Sequence, residues 1–325
     1  MRIGRKTLRA LAVSVASPVT LLAHGVLHDI NAPRALSPWD LAVLFTLMIV
    51  GGLYVRGAFR LARRTASRGA RASVSGLSRL ARWEPAAFAA GWSALMLSIL
   101  PPIDSVSLEL FSVHMLQHEL MMLVGAPLLI AGRPLQRCVA GLPDVLRAPV
   151  THALQRPAAS AIWRTLTAPL LAWTLSGLAV WVWHMPALYD AAVANESIHT
   201  LEHASFVGTS ALFWWGMLYG RYGRAGYGAA VFYVFLTVVH TGILGAMVTF
   251  ARTPLYSIYM GPAAAHGIDP LLDQQRAGLL MWIPAGLVMT LLGLALFAAW
   301  IGESQRRSTQ NARVSMHTAP GGDVR

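Results

Sequence analysis

Residues 109–134 read ELFSVHMLQHELMMLVGAPLLIAGRP. The segment is mostly apolar and reaches the roughly 20 residues that a helix needs to cross a bilayer. Yet it carries His114, His118 and Glu119. An ionisable group in hydrocarbon costs on the order of several kcal/mol, so such groups face a bundle interior or a water-filled cavity and mark function. His114 and His118 stand at i and i+4. One helix face therefore presents both imidazoles, about 6 Å apart along the axis. A pair so placed can bind one metal ion, or share a proton or another polar partner.

The whole chain supports a membrane reading. It has 325 residues, 55% hydrophobic and 12% charged, where a soluble domain carries roughly 25% charged residues. The expected fold is all-α: a polytopic membrane helical bundle with membrane lipid around it. The net charge is +12, and nearly every basic residue is Arg. These arginines cluster in alternate loops, which argues topology and no nucleic-acid partner. The one cysteine, Cys138, excludes an internal disulfide and a thiolate-pair metal site. Any metal must be held by His, Met, carboxylate or water.

Residues 1–23 carry Arg2, Arg5, Lys6 and Arg9, then run apolar from Leu11 to Ala23. They read as a signal peptide or as a first transmembrane segment. If the chain is cut after Ala23, His24 becomes an amino terminus able to bind copper; the plainer reading of His24 and His28 is two loop histidines. Apolar spans follow at about 39–57, 84–102, 109–131, 166–185, 198–219, 227–250 and 278–301. That makes about seven transmembrane helices in a domain over 24–302, or eight if the first segment is kept. Residues 303–325 read as a disordered cytoplasmic tail. Loops 56–82, 133–164 and 221–224 and the tail hold nineteen Arg; the opposite side, from residue 24 on, holds Arg34, Arg252 and Arg276. Cytoplasmic loops carry the excess of Lys and Arg. The tail is therefore expected inside, and 24–38, 102–108, 186–197 and 251–277 outside.

This topology gathers histidines in the outer half. His114 and His118 lie on the third span, and His184 ends the fourth. His199 and His203, again i and i+4, open the fifth, with Glu196 and Glu202 flanking the same face. His240 lies on the sixth span near the depth of His118, and His266, Asp269 and Asp273 lie in the outer loop. Histidines converging from several helices at one depth point to a metal site or another functional centre. Without a cysteine pair, imidazole with help from methionine suits copper; imidazole alone also suits zinc or iron. The expected ligand set is His114, His118, His199 and His203, with His184, His240, Met115 and Asp273 nearby. Glu119, about 140° round the helix from His114, is expected off this cluster.

Three blocks carry a family resemblance: HMLQHELMMLVGAPLLIAGRP (114–134), WHMPALYDAAVANESIHTLEHASFVGTSALFWW (183–215) and TPLYSIYMGPAAAHGIDPLLDQQRAGLLMWIPAG (253–286). With them the chain resembles the CtaG family of multi-span cytochrome c oxidase assembly factors associated with caa-type oxidases. The resemblance implies a role in making active oxidase at the copper-loading stage, with oxidase subunits as partners, in the bacterial cytoplasmic (inner) membrane. It also draws attention to Tyr189, Asp190, Glu202, Gln274 and Gln275 at matching positions.

Two other functions are compatible with the sequence: a copper or proton-coupled membrane transporter, and a membrane cytochrome with haem iron held by histidines. No nucleophile with an activating base is evident, so no enzyme is expected. Reporter fusions placed after residues 70 and 262 should report opposite sides of the membrane. The same side for both would defeat this topology.

Overall fold

The computed structural model describes residues 37–67, 77–219 and 226–318, and every regular element among them is helical. The amino-terminal segment 1–23, with His24 and His28, lies outside the described residues. Helix α1 (Pro38–Ser67) opens on a reciprocal cap: the Ser37 hydroxyl accepts the Asp40 N–H at 3.1 Å, and the Asp40 carboxylate accepts the Ser37 N–H at 2.9 Å. Two amides at the helix start are thereby satisfied. Helix α2 (Leu77–Ile99) and the short α3 (Ile103–Ser107) lead to the histidine-bearing segment.

That segment is one long rod with a wide turn in it. Helix α4 (Phe111–Glu119) passes into a π-helical turn, Leu120–Gly125, and then α5 (Ala126–Ala131). Pro127 accounts for the turn. It has no N–H to give the Leu123 carbonyl, and in a regular α-helix its ring would collide with that carbonyl. Widening the turn relieves the collision.

Residues 133–164, expected as a loop, instead fold into α6 (Pro134–Gly141), α7 (Asp144–Gln155) and α8 (Pro157–Leu166). Prolines of this stretch start helices. Pro134 and Pro157 each occupy the first helical position and Pro143 stands just before α7, where a missing N–H is harmless. Helix α9 (Pro169–Trp183) follows α8 across a 59° bend; Ala168, just before Pro169, is extended as a residue preceding proline prefers. A short helix, α10 (Pro186–Ala194), precedes α11 (Glu196–Tyr219), α12 (Gly226–Thr249), α13 (Met260–Ala265) and α14 (Pro270–Thr318). Helix α14 continues through residues 303–318, which composition assigned to a disordered tail. No proline interrupts that stretch, and half of its residues are good helix formers.

Four helical stretches among the described residues are long and apolar enough to cross a membrane: Pro38–Arg64, Phe111–Ala131, Gly228–Thr249 and Pro270–Gln305. A fifth is added if α8 and α9 count as one bent span. The expected count of about seven is thus not reached by length and apolarity. Helices α2 and α11 have 23 and 24 residues, but Glu84 and two arginines lower the hydropathy of α2. His199, Glu202 and His203 do the same to α11.

The helices meet backbone to backbone where small residues allow it. A Cβ on Gly57 of α1 would fall 1.8 Å from the Arg137 carbonyl of α6, and one on Gly141 would fall 1.9 Å from the Leu53 carbonyl. Small residues at such crossings give the close packing that holds helices together in lipid. Gly57→Ala should therefore destabilise the chain by about 1–3 kcal/mol, as overpacking does, and lower the thermal midpoint in detergent. Gly52→Ala, with nothing within 4 Å of its Cβ position, serves as the neutral control. Equal midpoints for the two would contradict the crossing.

Candidate metal centre

The π turn has a second consequence. Proline at 127 removes a donor that the Met122 carbonyl would use within its own helix. Ser210 Oγ and Trp214 Nε1 of α11 fill the gap, each donating to that carbonyl at 3.0 Å. At the last residue of α11, the Tyr219 hydroxyl lies 3.2 Å from the Ile130 and Ala131 carbonyls. These bonds hold α11 alongside the α4–α5 rod, running in the same direction. The register they fix brings the first two turns of α11, with His199, Glu202 and His203, against His114 and His118 of α4.

The side chains meet. His114 Nε2 lies 3.0 Å from His118 Nε2. Ring centroids are 5.1 Å apart for His114 and His199, 5.3 Å for His118 and His203, and 4.1 Å for His199 and His203. The Glu202 carboxylate stands between them, 3.9 Å from His114 Nε2 through one oxygen and 3.9 Å from His118 Nε2 through the other. One ligand atom from each of His114, His118, Glu202 and His203 lies within 4.8 Å of the other three. His114 and Glu202 are fully buried. Neither Glu202 oxygen has a hydrogen-bond partner. A buried carboxylate without such bonds is costly unless a positive charge stands beside it.

The tautomer of His114 follows from its neighbours. Tyr259 lies in the connection between α12 and α14. Burial pushes its hydroxyl well above the ordinary phenol range, so it stays neutral. That hydroxyl donates to the Ser107 carbonyl at 3.1 Å and sits 2.6 Å from His114 Nδ1. With its proton so used, it accepts the Nδ1–H, and the His114 Nε2 lone pair faces the cluster. A histidine that ligates metal usually has its other nitrogen held in this way.

The fit to a metal can be judged from the donor set. A tetrahedral ion bonded at about 2.0–2.1 Å separates its ligand atoms by roughly 3.3 Å, so only a small contraction would close these four on one ion. Three imidazoles and a carboxylate suit zinc, iron or oxidised copper better than they suit a purely soft ion.

Of the residues expected from sequence, His114, His118 and His203 converge as ligand candidates, and His199 stacks beside them. The others are elsewhere. Met115 is buried in the apolar core with Phe111, Tyr189 and Phe206. His184 closes α9 and donates from Nδ1 to the Val180 carbonyl at 2.7 Å. His240 accepts the Trp181 indole N–H at Nδ1, 3.4 Å away. Asp273 does not reach the cluster. Its carboxylate accepts the Phe111 N–H at 2.7 Å, the Ser112 N–H at 3.4 Å and the Ser112 hydroxyl. It thus caps α4 from the first turn of α14, while Asp269 caps α14 itself. Asp190 and Gln274 tie loops together, through Ser257 and the Leu255 N–H. His266 pairs with Glu109.

Sequence reasoning left Glu202 out of the ligand set, although it flanks His199 on the same face, and it missed Tyr259. An acid within an apolar helix, three residues from one histidine and adjacent to another, is the signal for the first. Nothing local marks the second, because Tyr259 meets His114 across 145 residues of chain.

A family model for the cytochrome c oxidase caa3 assembly factor matches residues 52–303. The comparisons with curated proteins and with solved structures return no match.

Asp273→Ala should lower stability by about 1–2 kcal/mol, the usual worth of a helix cap, while leaving the metal content of the purified chain unchanged. Metal loss with an unchanged melting curve would make Asp273 a ligand after all.

Proposed function

The chain belongs to the cytochrome c oxidase caa3 assembly factor family, and on that premise we propose that it carries copper as cargo to the oxidase. In this reading His114, His118, Glu202 and His203 hold the ion near the outer face of the inner membrane, and an oxidase subunit receives it. Seven spans, with the histidine end on the periplasmic side, complete the proposal. The arginine asymmetry of the loops supports that orientation.

The observation that carries the reading is the buried Glu202 carboxylate, set without hydrogen bonds among imidazole nitrogens. A divalent cation answers its charge and the bare nitrogens at once. Tyr259 adds a reason to read the site as built: it spends the Nδ1 proton of His114 away from the cluster and leaves Nε2 as a donor to metal. Imidazole and carboxylate also release a metal more readily than a set of thiolates would, which suits a carrier. The haem alternative gains no support from the rings, which pack on one another at 4.1–6.0 Å between centroids and leave no slot for a macrocycle. A non-catalytic role fits the family.

Deleting the gene should leave oxidase subunits made but poorly active, with partial recovery on added copper. Complementation by Glu202→Gln or His203→Ala should fail, with oxidase activity reduced at least tenfold while the variant still accumulates in the membrane. Normal oxidase activity in a clean deletion, with no paralogue present, would sink the proposal.

A further inference from the structure

Behind the cluster lies a cavity of about 90 Å³. Its walls come from α4 and the π turn, α9, α11, α12 and α14. His118 is shared between it and the cluster, and the cavity extends towards the bilayer centre as far as Trp173, Trp214 and Met289. Glu119, excluded from the cluster by its helical angle, opens onto this space.

The polar groups around the cavity are unbalanced. Most of its donors are already committed to protein acceptors, the Ser176 hydroxyl and the His240 Nε2–H excepted. Trp173 Nε1 donates to Thr237 Oγ1 at 3.1 Å, and Thr237 Oγ1 to the Tyr233 carbonyl at 2.8 Å. Thr241 Oγ1 donates to the Thr237 carbonyl at 2.8 Å. Ser210 and Trp214 are held by the Met122 carbonyl, and His184 Nδ1 by that of Val180. Otherwise, what remains spare is lone pairs. Glu119 Oε2 and His184 Nε2 are buried without a hydrogen-bond partner, and Met115, Met122, Met281 and Met289 line the same space. His240 does not add to these, because Trp181 occupies its Nδ1.

We infer that this cavity is a second metal subsite, which takes a soft monovalent cation, cuprous copper, through the Glu119 carboxylate, the His184 Nε2 lone pair and methionine sulfur. Spare acceptors with few free donors select a cation. Thioether and imidazole select a soft one. One carboxylate balances one positive charge, which leaves the occupied cavity neutral in a low-dielectric setting. The two sites differ in kind. The cluster has imidazole and carboxylate without sulfur, whereas the inner cavity has sulfur and lies deeper. His118 is common to both, so the two sites adjoin.

The inference rests on the copper reading above for the identity of the metal, and the test keeps the two apart. The full chain, purified in detergent, is loaded with cuprous copper under a reductant, then measured for metal content and by X-ray absorption at the copper edge. Wild type and the double variant His114→Ala/His203→Ala should each bind about one ion per chain, with sulfur among its neighbours, because the cluster offers no soft donor. Adding Glu119→Gln and Met122→Leu to that variant should remove the ion. Met122→Leu conserves volume and should cost less than about 1.5 kcal/mol, so a folded chain is expected, and the thermal midpoint checks it. Zero copper in the double variant beside a loaded wild type overturns the inner subsite and leaves the cluster standing. A spectrum of the double variant with nitrogen and oxygen neighbours alone also overturns it. No copper in the wild type overturns both readings.

Discussion

Pro127 cannot donate a hydrogen bond, and in a bilayer no water stands ready to replace one. The Met122 carbonyl is therefore satisfied from another helix, by Ser210 and Trp214 of α11. This constraint sets the position of α11 along the α4–α5 rod, and with it everything at the histidine end. A sliding of α11 by one turn, about 5.4 Å, would strand the carbonyl and separate the histidines of the two helices. A proline that reads as a defect in a transmembrane segment thus fixes the register of a polar site two to three turns away.

At that histidine end the energetics reverse. Elsewhere the bundle is held by apolar packing and by glycine crossings such as Gly57 on α6 and Gly278 on α12. A Cβ on Gly278 would meet Thr249 Oγ1 at 2.4 Å. Here three imidazoles and a carboxylate are enclosed together. The surroundings are rigid: Asp273 caps α4, Gln117 bonds to the Ser98 carbonyl and Asp104, and Tyr259 holds His114. Such support keeps a polar group in an apolar setting oriented towards a ligand. It also explains why Met115, expected as a soft ligand, is absent from the cluster. Its side chain turns towards the aromatic core of Phe111 and Tyr189.

Much of this was legible in the sequence. The i, i+4 spacing of His114 and His118, and of His199 and His203, predicts two polar faces, and their similar depth predicts that they meet. The displacement of Glu119 from the cluster follows from helix geometry alone. What the sequence did not disclose depends on contacts between distant segments. Asp269 and Asp273 are acids at the start of α14, and nothing in their spacing separates a helix cap from a metal ligand. His240 shares the depth of His118 but is held by Trp181. Glu202 was visible as a flanking residue; its place among the ring nitrogens needed the crossing of α11. The prolines at 134, 143 and 157 lie in a stretch expected as a loop, yet their position at helix starts decides their effect. The apolar count of spans fell short for a related reason: the helices that carry the polar groups are the ones whose hydropathy those groups reduce.

The central claim is that one ion sits between α4 and α11. Anomalous diffraction from crystals of the copper-loaded chain, recorded on either side of the copper absorption edge, tests it most directly. The account predicts a peak about 2.0–2.2 Å from ring nitrogens of His114, His118 and His203 and from a Glu202 oxygen. A loaded crystal with no peak among these four side chains would contradict it.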